Sequence, residues 1–372
     1  MSAVDLDEER TLVHSQGTPI TVDVVVIGGG QAGMAAGYYL RRSGRDFVIL
    51  DAETAPGGSW QHYWDSLHLF SPAEYSSLPG WPMPGWSPGF PPASHVVDYL
   101  TAYETRYDLP VRRPVRVTSV TRSGDGYLVE SDHSSWFARA VVNTTGTWRQ
   151  PFWPIYPGIR EFTGTQIHTT SYRSPTPFAG SKVAVVGGGN SAAQIVAEVS
   201  TVAETLWLTS REPRFLPDDV DGRILFDVAR EHAREIASGE TDSGGIAGLG
   251  DIVMVPPVKA ARERGVMVAH PMFDRLTATG LVFGDHVEPV DAIIWCTGFR
   301  PALRHLQPLG LRDGDTGRIE LDGEHVADEP GLIFLGYGDW TGPASATLIG
   351  VGRTARDAIT ALDDDLFTVP AI

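Results

Sequence analysis

One order of apolar and polar positions occurs twice along the chain. The apolar run Val24 to Ile27 enters a glycine cluster, Met34 to Arg42 carries apolar positions at helical spacing, and a second run, Phe47 to Leu50, stops on Asp51. The order returns as Val183 to Val186, a glycine cluster, the helical stretch Ser191 to Val199, and Thr205 to Thr209. Apolar runs this short, bounded by glycine, predict strands buried on both faces, so each copy reads strand, turn, helix, strand. Between the copies, residues 94–107 predict a helix with Ser94 as its N-cap. Alternation over Val115–Val120, Tyr127–Glu130 and Trp136–Val142 predicts a small antiparallel sheet. Residues 71–92 contain Leu78-Pro79-Gly80-Trp81-Pro82-Met83-Pro84-Gly85-Trp86, which excludes regular helix or central strand. That stretch is either a cover over a site or a packed structural loop.

Downstream of the second copy, Gly222 to Ala237 reads as helix, while Ser243 to Gly250 and Val255-Pro256-Pro257 read as loops. Leu332 to Leu335 predicts a buried strand, Gly336 to Asp339 a turn, and Ala344 to Ile359 a helix. Residues 1–21 form a polar extension. Each copy also closes with an apolar strand feeding a Thr-Gly turn, at Thr145-Gly146 and at Thr297-Gly298. The second turn leads the chain back to the first unit. The expected fold is therefore α/β, with two Rossmann-like dinucleotide-binding domains in a disulfide-reductase-like arrangement: 158–298 inserted into a domain made of 22–157 and 299–372.

The glycines carry the chemistry. In Gly28-x-Gly30-x-x-Gly33 the first lets the chain turn, the second lets backbone N–H groups approach a pyrophosphate, and the third lets helix and strand lie close. The helix start, with Gln31 and Ala32, offers unpaired donors and a positive dipole end. Asp51 falls where a carboxylate accepts hydrogen bonds from both hydroxyls of an adenosine ribose, as in FAD or NAD. In the second copy, Gly187-x-Gly189-x-x-Ala192 keeps the fingerprint with alanine in third place. Asp51 stands 18 positions after Gly33, and the same step from Ala192 reaches Ser210. Ser210 and Arg211 suit a 2'-phosphate that an aspartate would repel, so the pair of sites reads as FAD and then NADPH. The competing reading of Arg211 is an ordinary surface arginine.

Composition narrows the function. A net charge of −17 argues against nucleic acid or anionic membrane as partners. No apolar stretch reaches the ~20 residues of a membrane span, and the acidic start is unlike a signal peptide, so a soluble, cytoplasmic protein is expected. The single cysteine, Cys296, excludes a dithiol relay of the disulfide-reductase kind and reads as a small buried residue. The 11 histidines are scattered without ligand spacing, so no metal is expected, and no serine-hydrolase elbow is present.

Phe162-Thr163-Gly164-Thr165-Gln166-Ile167-His168, running on to Tyr172, matches the FxGxxxHxxx[Y/F] fingerprint of the flavin-containing monooxygenases, relatives of the Baeyer-Villiger enzymes. Over residues 22 to 360 the chain resembles that family, in particular small bacterial members without a membrane-anchoring tail, some of which occur in arsenic-resistance clusters. Tyr172 stands where Baeyer-Villiger enzymes usually carry tryptophan, which favours heteroatom oxidation. The resemblance implies that His168 and Tyr172 serve coupling or positioning. Read without the family, His168 is either a hinge or packing residue or a proton carrier. Gly58, Ser59 and Trp60 resemble the family's GGxW loop near the flavin. Val117, Thr145, Gly146, Asp339 and Thr347 are further candidate FAD contacts, and Asp339 is otherwise a turn acid. Asn190 and Ser191 match the GxGNSA pattern beside NADPH, with Cys296, Thr297 and Gly298 as further candidates. Some small bacterial relatives accept NADH too, and Arg211 favours NADPH.

The implied reaction is hydride transfer from NADPH to flavin, capture of O2 as a C4a-(hydro)peroxide, and oxygenation of soft sulfur or nitrogen, or of ketones. An NADPH:flavin reductase or oxidase releasing hydrogen peroxide shares every nucleotide feature and is the alternative. A nucleotide-binding sensor is a third. The expected partners are a small-molecule substrate and O2, with a homodimer as candidate assembly.

Overall fold

A computed structural model describes residues 18–224, 227–228, 231, 252–313, 318–342 and 344–367. Its strands, in chain order, are β1 (Ile20–Ile27), β2 (Phe47–Leu50), β3 (Val111–Arg112), β4 (Val117–Ser123), β5 (Gly126–Ser131), β6 (Ser135–Asn143), β7 (Thr165–His168), β8 (Lys182–Val186), β9 (Glu204–Leu208), β10 (Ala269–His270), β11 (Arg275–Leu276), β12 (Gly280–Phe283), β13 (His286–Pro289), β14 (Ala292–Trp295), β15 (Leu321–Asp322), β16 (His325–Val326) and β17 (Glu329–Phe334). The helices are α1 (Gln31–Ser43), α2 (Ala93–Arg106), α3 (Asn190–Val199), α4 (Pro256–Glu263) and α5 (Val351–Leu362).

Two sheets form the two units, a mixed sheet whose central strands β17, β6, β1, β2 and β3 pair in parallel, and an all-parallel one. The first runs β15-β16-β17-β6-β1-β2-β3 and the second β10-β9-β8-β14-β7. The second sheet thus lies between β6 and β15 in sequence, and the chain returns to complete the first. In both sheets the glycine turn follows a central strand, so the loops of the unit converge at the strand C-terminal ends, where ligands of open α/β sheets bind.

The apolar runs are buried on both faces, as their continuity requires. Val24 and Val26 pack with α1 and α5, whereas Val25 and Ile27 pack with Val129, Leu306 and Phe334 on the other face. Val183 and Val185 face α3, while Ala184 and Val186 pack with Phe273 and Trp295. Trp64, Leu67 and Ala93 come from the first unit yet are buried in the core of the second, against Tyr172 and Phe178.

Several local expectations are corrected. The antiparallel segments are annexed to the main sheet. Residues 135–138 of β6 pair with β5, and its later residues 141–143 pair in parallel with β17. Ser94 is not a cap: α2 starts at Ala93 behind Pro92 without a side-chain cap, because Pro92 ends the preceding extended chain. Val255-Pro256-Pro257 opens α4 rather than forming a loop, since prolines in the first helical turn forfeit no intrahelical hydrogen bond. The last helix begins at Val351, after a turn in which Ala344 has φ 61°. β1 begins at Ile20, inside the expected extension. The Pro- and Trp-rich stretch buries Leu78 and Met83 in the first core, and its carbonyls at Pro79 and Trp81 accept from Tyr103 and Tyr99, so it is packed structure. Residues 1–17, most of 222–237 and all of 243–250 lie outside the described residues.

Candidate functional site

The first glycine turn divides its labour as chemistry demands. Gly28 has φ 111°, and a Cβ there would meet Thr144 O at 2.7 Å. A Cβ on Gly33 would overlap Gly28 O, so that glycine is the contact between helix and turn. Gly30 differs: its φ of −81° and ψ of −169° suit any residue, and the nearest atom to a Cβ is Gly58 Cα at 3.9 Å. The free space above Gly30, at the start of a helix with no side-chain cap and no acid in its first turn, is a cradle for an anionic group. Gly58 closes one side of it. Gln31 braces the walls: its amide donates to Ala346 O (2.7 Å) and accepts from the Trp60 indole (2.9 Å). Ala32 is buried beneath Gly336, and Ser59 is half-buried in the turn Gly58–His62.

Asp51 leaves β2 with its carboxylate so close that a Cβ on Gly29 would overlap Oδ2. Arg113 holds it there, with Nε donating to Asp51 Oδ2 (2.7 Å) and Nη1 to Glu104 Oε1 (2.8 Å). Backbone bonds from Asp51 N to Arg112 O (3.0 Å) and from Val115 N to Asp51 O (2.8 Å) continue the β2–β3 ladder, which places the two side chains together.

The second turn repeats the division. Gly187 has φ 142°, and a Cβ would overlap Cys296 O, whereas Gly189, with φ −109°, has nothing within 4 Å of a Cβ. Ala192, in third place, is buried in the core. Asn190 uses its Oδ1 to accept from Val253 N (2.8 Å), so this oxygen ties α3 to the chain beyond 252. Ser191 is half-buried in the first turn of α3. Ser210 and Arg211 are exposed just past the end of β9, beside His270, whose carbonyl accepts from Thr209 N (3.0 Å). Cys296, expected as a buried residue, is half-buried at the edge of the second core; desolvation pushes its thiol up to about 12, so it stays protonated.

Where the chain crosses between the units, it crosses as a pair. Pro151 and Phe299 form an antiparallel bridge, with Phe152 N bonded to Gly298 O (2.9 Å) and Arg300 N to Gln150 O (2.9 Å). Thr297 Oγ1 donates to Phe152 O (2.5 Å). His168, 1% exposed, adds a second donor: Nδ1 accepts from Thr170 N (3.3 Å), so Nε2 carries the proton and donates to Gly298 O (3.2 Å). Burial lowers its pKa, which favours this neutral form. The His168 ring packs between the rings of Trp153 and Phe299. Tyr172 is fully buried and donates to Glu198 Oε2 (2.9 Å), while Ser66 from the first unit donates to Glu198 Oε1. The fingerprint thus ends on a carboxylate shared between units.

At the first Thr-Gly turn, Thr145 Oγ1 donates to Ala302 O (3.0 Å), so the Tyr337 hydroxyl donates to Thr145 (2.9 Å) while accepting from Asn143 Nδ2 (2.8 Å). His305 completes the network by donating to Asn143 Oδ1 (3.0 Å), and burial lowers its pKa to about 4. Gly146 follows with φ 60°. Asp339 is exposed in the short turn Gly338–Thr341, and Thr347 caps the next one, accepting from Gly350 N (3.0 Å). Val117 stands at the start of β4. Arg113, Glu104, Glu198, Tyr337 and His305 were not singled out by sequence. An arginine just past the strand beside Asp51 was a signal for the first of these, and Glu104 lies only nine positions before it; the partners of Glu198, Tyr337 and His305 lie up to 194 positions away and left no signal. Among the described residues no group of histidine, cysteine and acidic side chains could hold a metal, and no helix is long and apolar enough to cross a membrane.

Residues 25–229 match the family model described as pyridine nucleotide-disulphide oxidoreductase. A solved flavin-containing monooxygenase from Stenotrophomonas maltophilia is 52% identical, with a TM-score of 0.84 over 93% of this chain and 99% of that one. The oxidoreductase CzcO of Bacillus subtilis is 32% identical over 336 residues, 90% of this chain and 97% of the relative. The S-allyl-L-cysteine S-oxygenase of Allium sativum shares the fold, with a TM-score of 0.66 at 20% identity over 92% and 77% of the two chains. With both glycine cradles open where a dinucleotide must approach, and with this similarity over nearly its whole length, the chain belongs to the flavin-containing monooxygenases of the pyridine nucleotide-disulphide oxidoreductase family.

Proposed function

We propose that the protein is an FAD- and NADPH-dependent monooxygenase that oxygenates soft heteroatoms, thioethers first, with O2 as co-substrate. In this reading 22–157 and 299–372 bind FAD, and 158–298 binds NADPH. The carrying observation is the single thiol: with Cys296 half-buried and held protonated and no second cysteine in the chain, reducing equivalents have no dithiol to enter. Oxygen is the remaining acceptor, and the S-oxygenase among the structural neighbours supports sulfur as the oxidised atom.

When bound, the flavin supplies hydride acceptance and oxygen activation, and the protein supplies position and dryness. The α1 and α3 N-termini hold the two pyrophosphates. Asp51 receives the FAD ribose, and Ser210 with Arg211 receives the NADPH 2'-phosphate. Neutral His168 keeps the crossing closed without contributing a charge to it. Incubation with NADPH, O2 and a thioether, amine and ketone panel tests the reading. Sulfoxide formed in step with NADPH oxidation is expected. Hydrogen peroxide as sole product across the panel establishes the reductase or oxidase instead.

A further inference from the structure

We propose that Arg113 is the positioning residue of the FAD site, fixing the Asp51 carboxylate so that it receives the adenosine ribose hydroxyls; this rests on the FAD reading of the first unit. Three observations carry it. Asp51 is the acid at the end of β2, yet its carboxylate is not free to rotate: Arg113 Nε takes Oδ2 at 2.7 Å and the Glu53 amide donates to Oδ1 at 3.2 Å. Each oxygen therefore keeps a remaining lone pair in a fixed direction, and two fixed acceptors match two vicinal hydroxyls. The pair is also nearly dry, with side chains 10% and 7% exposed, so neither group is reoriented by solvent.

The third observation is that the cluster does not close on itself. Arg113 bonds one oxygen of each carboxylate through Nε and Nη1, while Nη2 and Glu104 Oε2 are both buried without a partner. A cluster built for stability alone would saturate these atoms, since an unmade buried hydrogen bond is costly. Arg113 is instead held by Glu104 from behind and presents Nε forward to Asp51. Glu104 sits in α2, packed against the first core, so the anchor is rigid.

The test separates positioning from mere support by using two ligands. Apo-protein is titrated with FAD and with the analogue whose adenosine ribose lacks both hydroxyls, for the parent and for Arg113→Gln, Arg113→Lys, Glu104→Gln and Asp51→Asn. The parent should prefer FAD by roughly ten- to a hundredfold, the effect of losing hydrogen bonds to a charged acceptor. In Arg113→Gln that preference should fall to about threefold or less, through loss of FAD affinity with the analogue little changed. Arg113→Lys keeps the charge but only one contact and should fall between, as should Glu104→Gln. Thermal melting of each apo-variant reports folding independently of the ligand. Equal losses for both ligands in a folded Arg113→Gln or Arg113→Lys protein overturn the proposal while leaving the FAD reading intact. A parent that binds neither ligand overturns the FAD reading itself.

Discussion

Alanine at position 30 separates the fold from its ligand. Gly30 has φ −81° and ψ −169°, which alanine adopts without strain, and the nearest atom to its Cβ is 3.9 Å away. The apo-protein should therefore fold normally and gain about 0.4–1 kcal/mol from the stiffer unfolded chain. The same methyl occupies the space through which a pyrophosphate reaches the backbone N–H groups of α1. Losing one or two charge-assisted hydrogen bonds at ~1.5–3 kcal/mol each weakens FAD by about tenfold to more than a thousandfold. Gly33→Ala is the contrast, because its Cβ overlaps Gly28 O and damages the turn itself. The assay is paired: thermal melting of apo-protein, and fluorescence titration with FAD. A Gly30→Ala protein that melts at or above the parent temperature and binds FAD as tightly as the parent would refute the assignment of the cradle. Collapse of apo-Gly30→Ala would refute the reading that the space is free.

Arg211→Ala should lower NADPH affinity by roughly ten- to a hundredfold and leave NADH nearly unchanged, as read from KM for each coenzyme; an unaltered NADPH/NADH preference makes Arg211 a plain surface residue. His168→Ala removes one of two donors to Gly298 O and should raise hydrogen peroxide formed per NADPH while FAD content stays at the parent level; normal coupling together with lost flavin would contradict the coupling role proposed for it. His305, with its pKa lowered from 6.5 to about 4, binds its proton less readily folded than unfolded. Its contribution is complete above pH 6.5 and declines toward pH 4, by up to about 3 kcal/mol. Urea unfolding from pH 7 to 5 should show a shallower decline in His305→Gln, and parallel curves for the two proteins would count against it.

Both nucleotide units were legible because their signals are local. Gly28, Gly30, Gly33 and Asp51 lie within one strand-helix-strand unit, and the structure keeps their order and spacing. The helix starts were misjudged at Ser94, Ala344 and Pro256 because capping depends on where the preceding chain turns, which tertiary packing decides. The polar partners of the site escaped for a different reason. Glu198 is met by Ser66 across 132 positions and Tyr337 meets Asn143 across 194, distances over which one sequence carries no periodic signal. Asn190 shows the limit of a motif: its place beside the glycine turn was readable, but its bond to Val253 was not.

The paired crossing at Pro151 and Phe299 and the seat of Trp64 and Leu67 in the second core are separate points of attachment. Ser66 adds a third by donating to the Glu198 carboxylate, so the units are tied by backbone bonds, apolar packing and a polar contact at once. Displacing one unit against the other must break the ribbon of backbone bonds or withdraw the Trp64 plug. A smaller side chain at position 64 would therefore loosen the seam itself, while the Asp51 and Arg113 pair, which belongs wholly to the first unit, keeps its contacts.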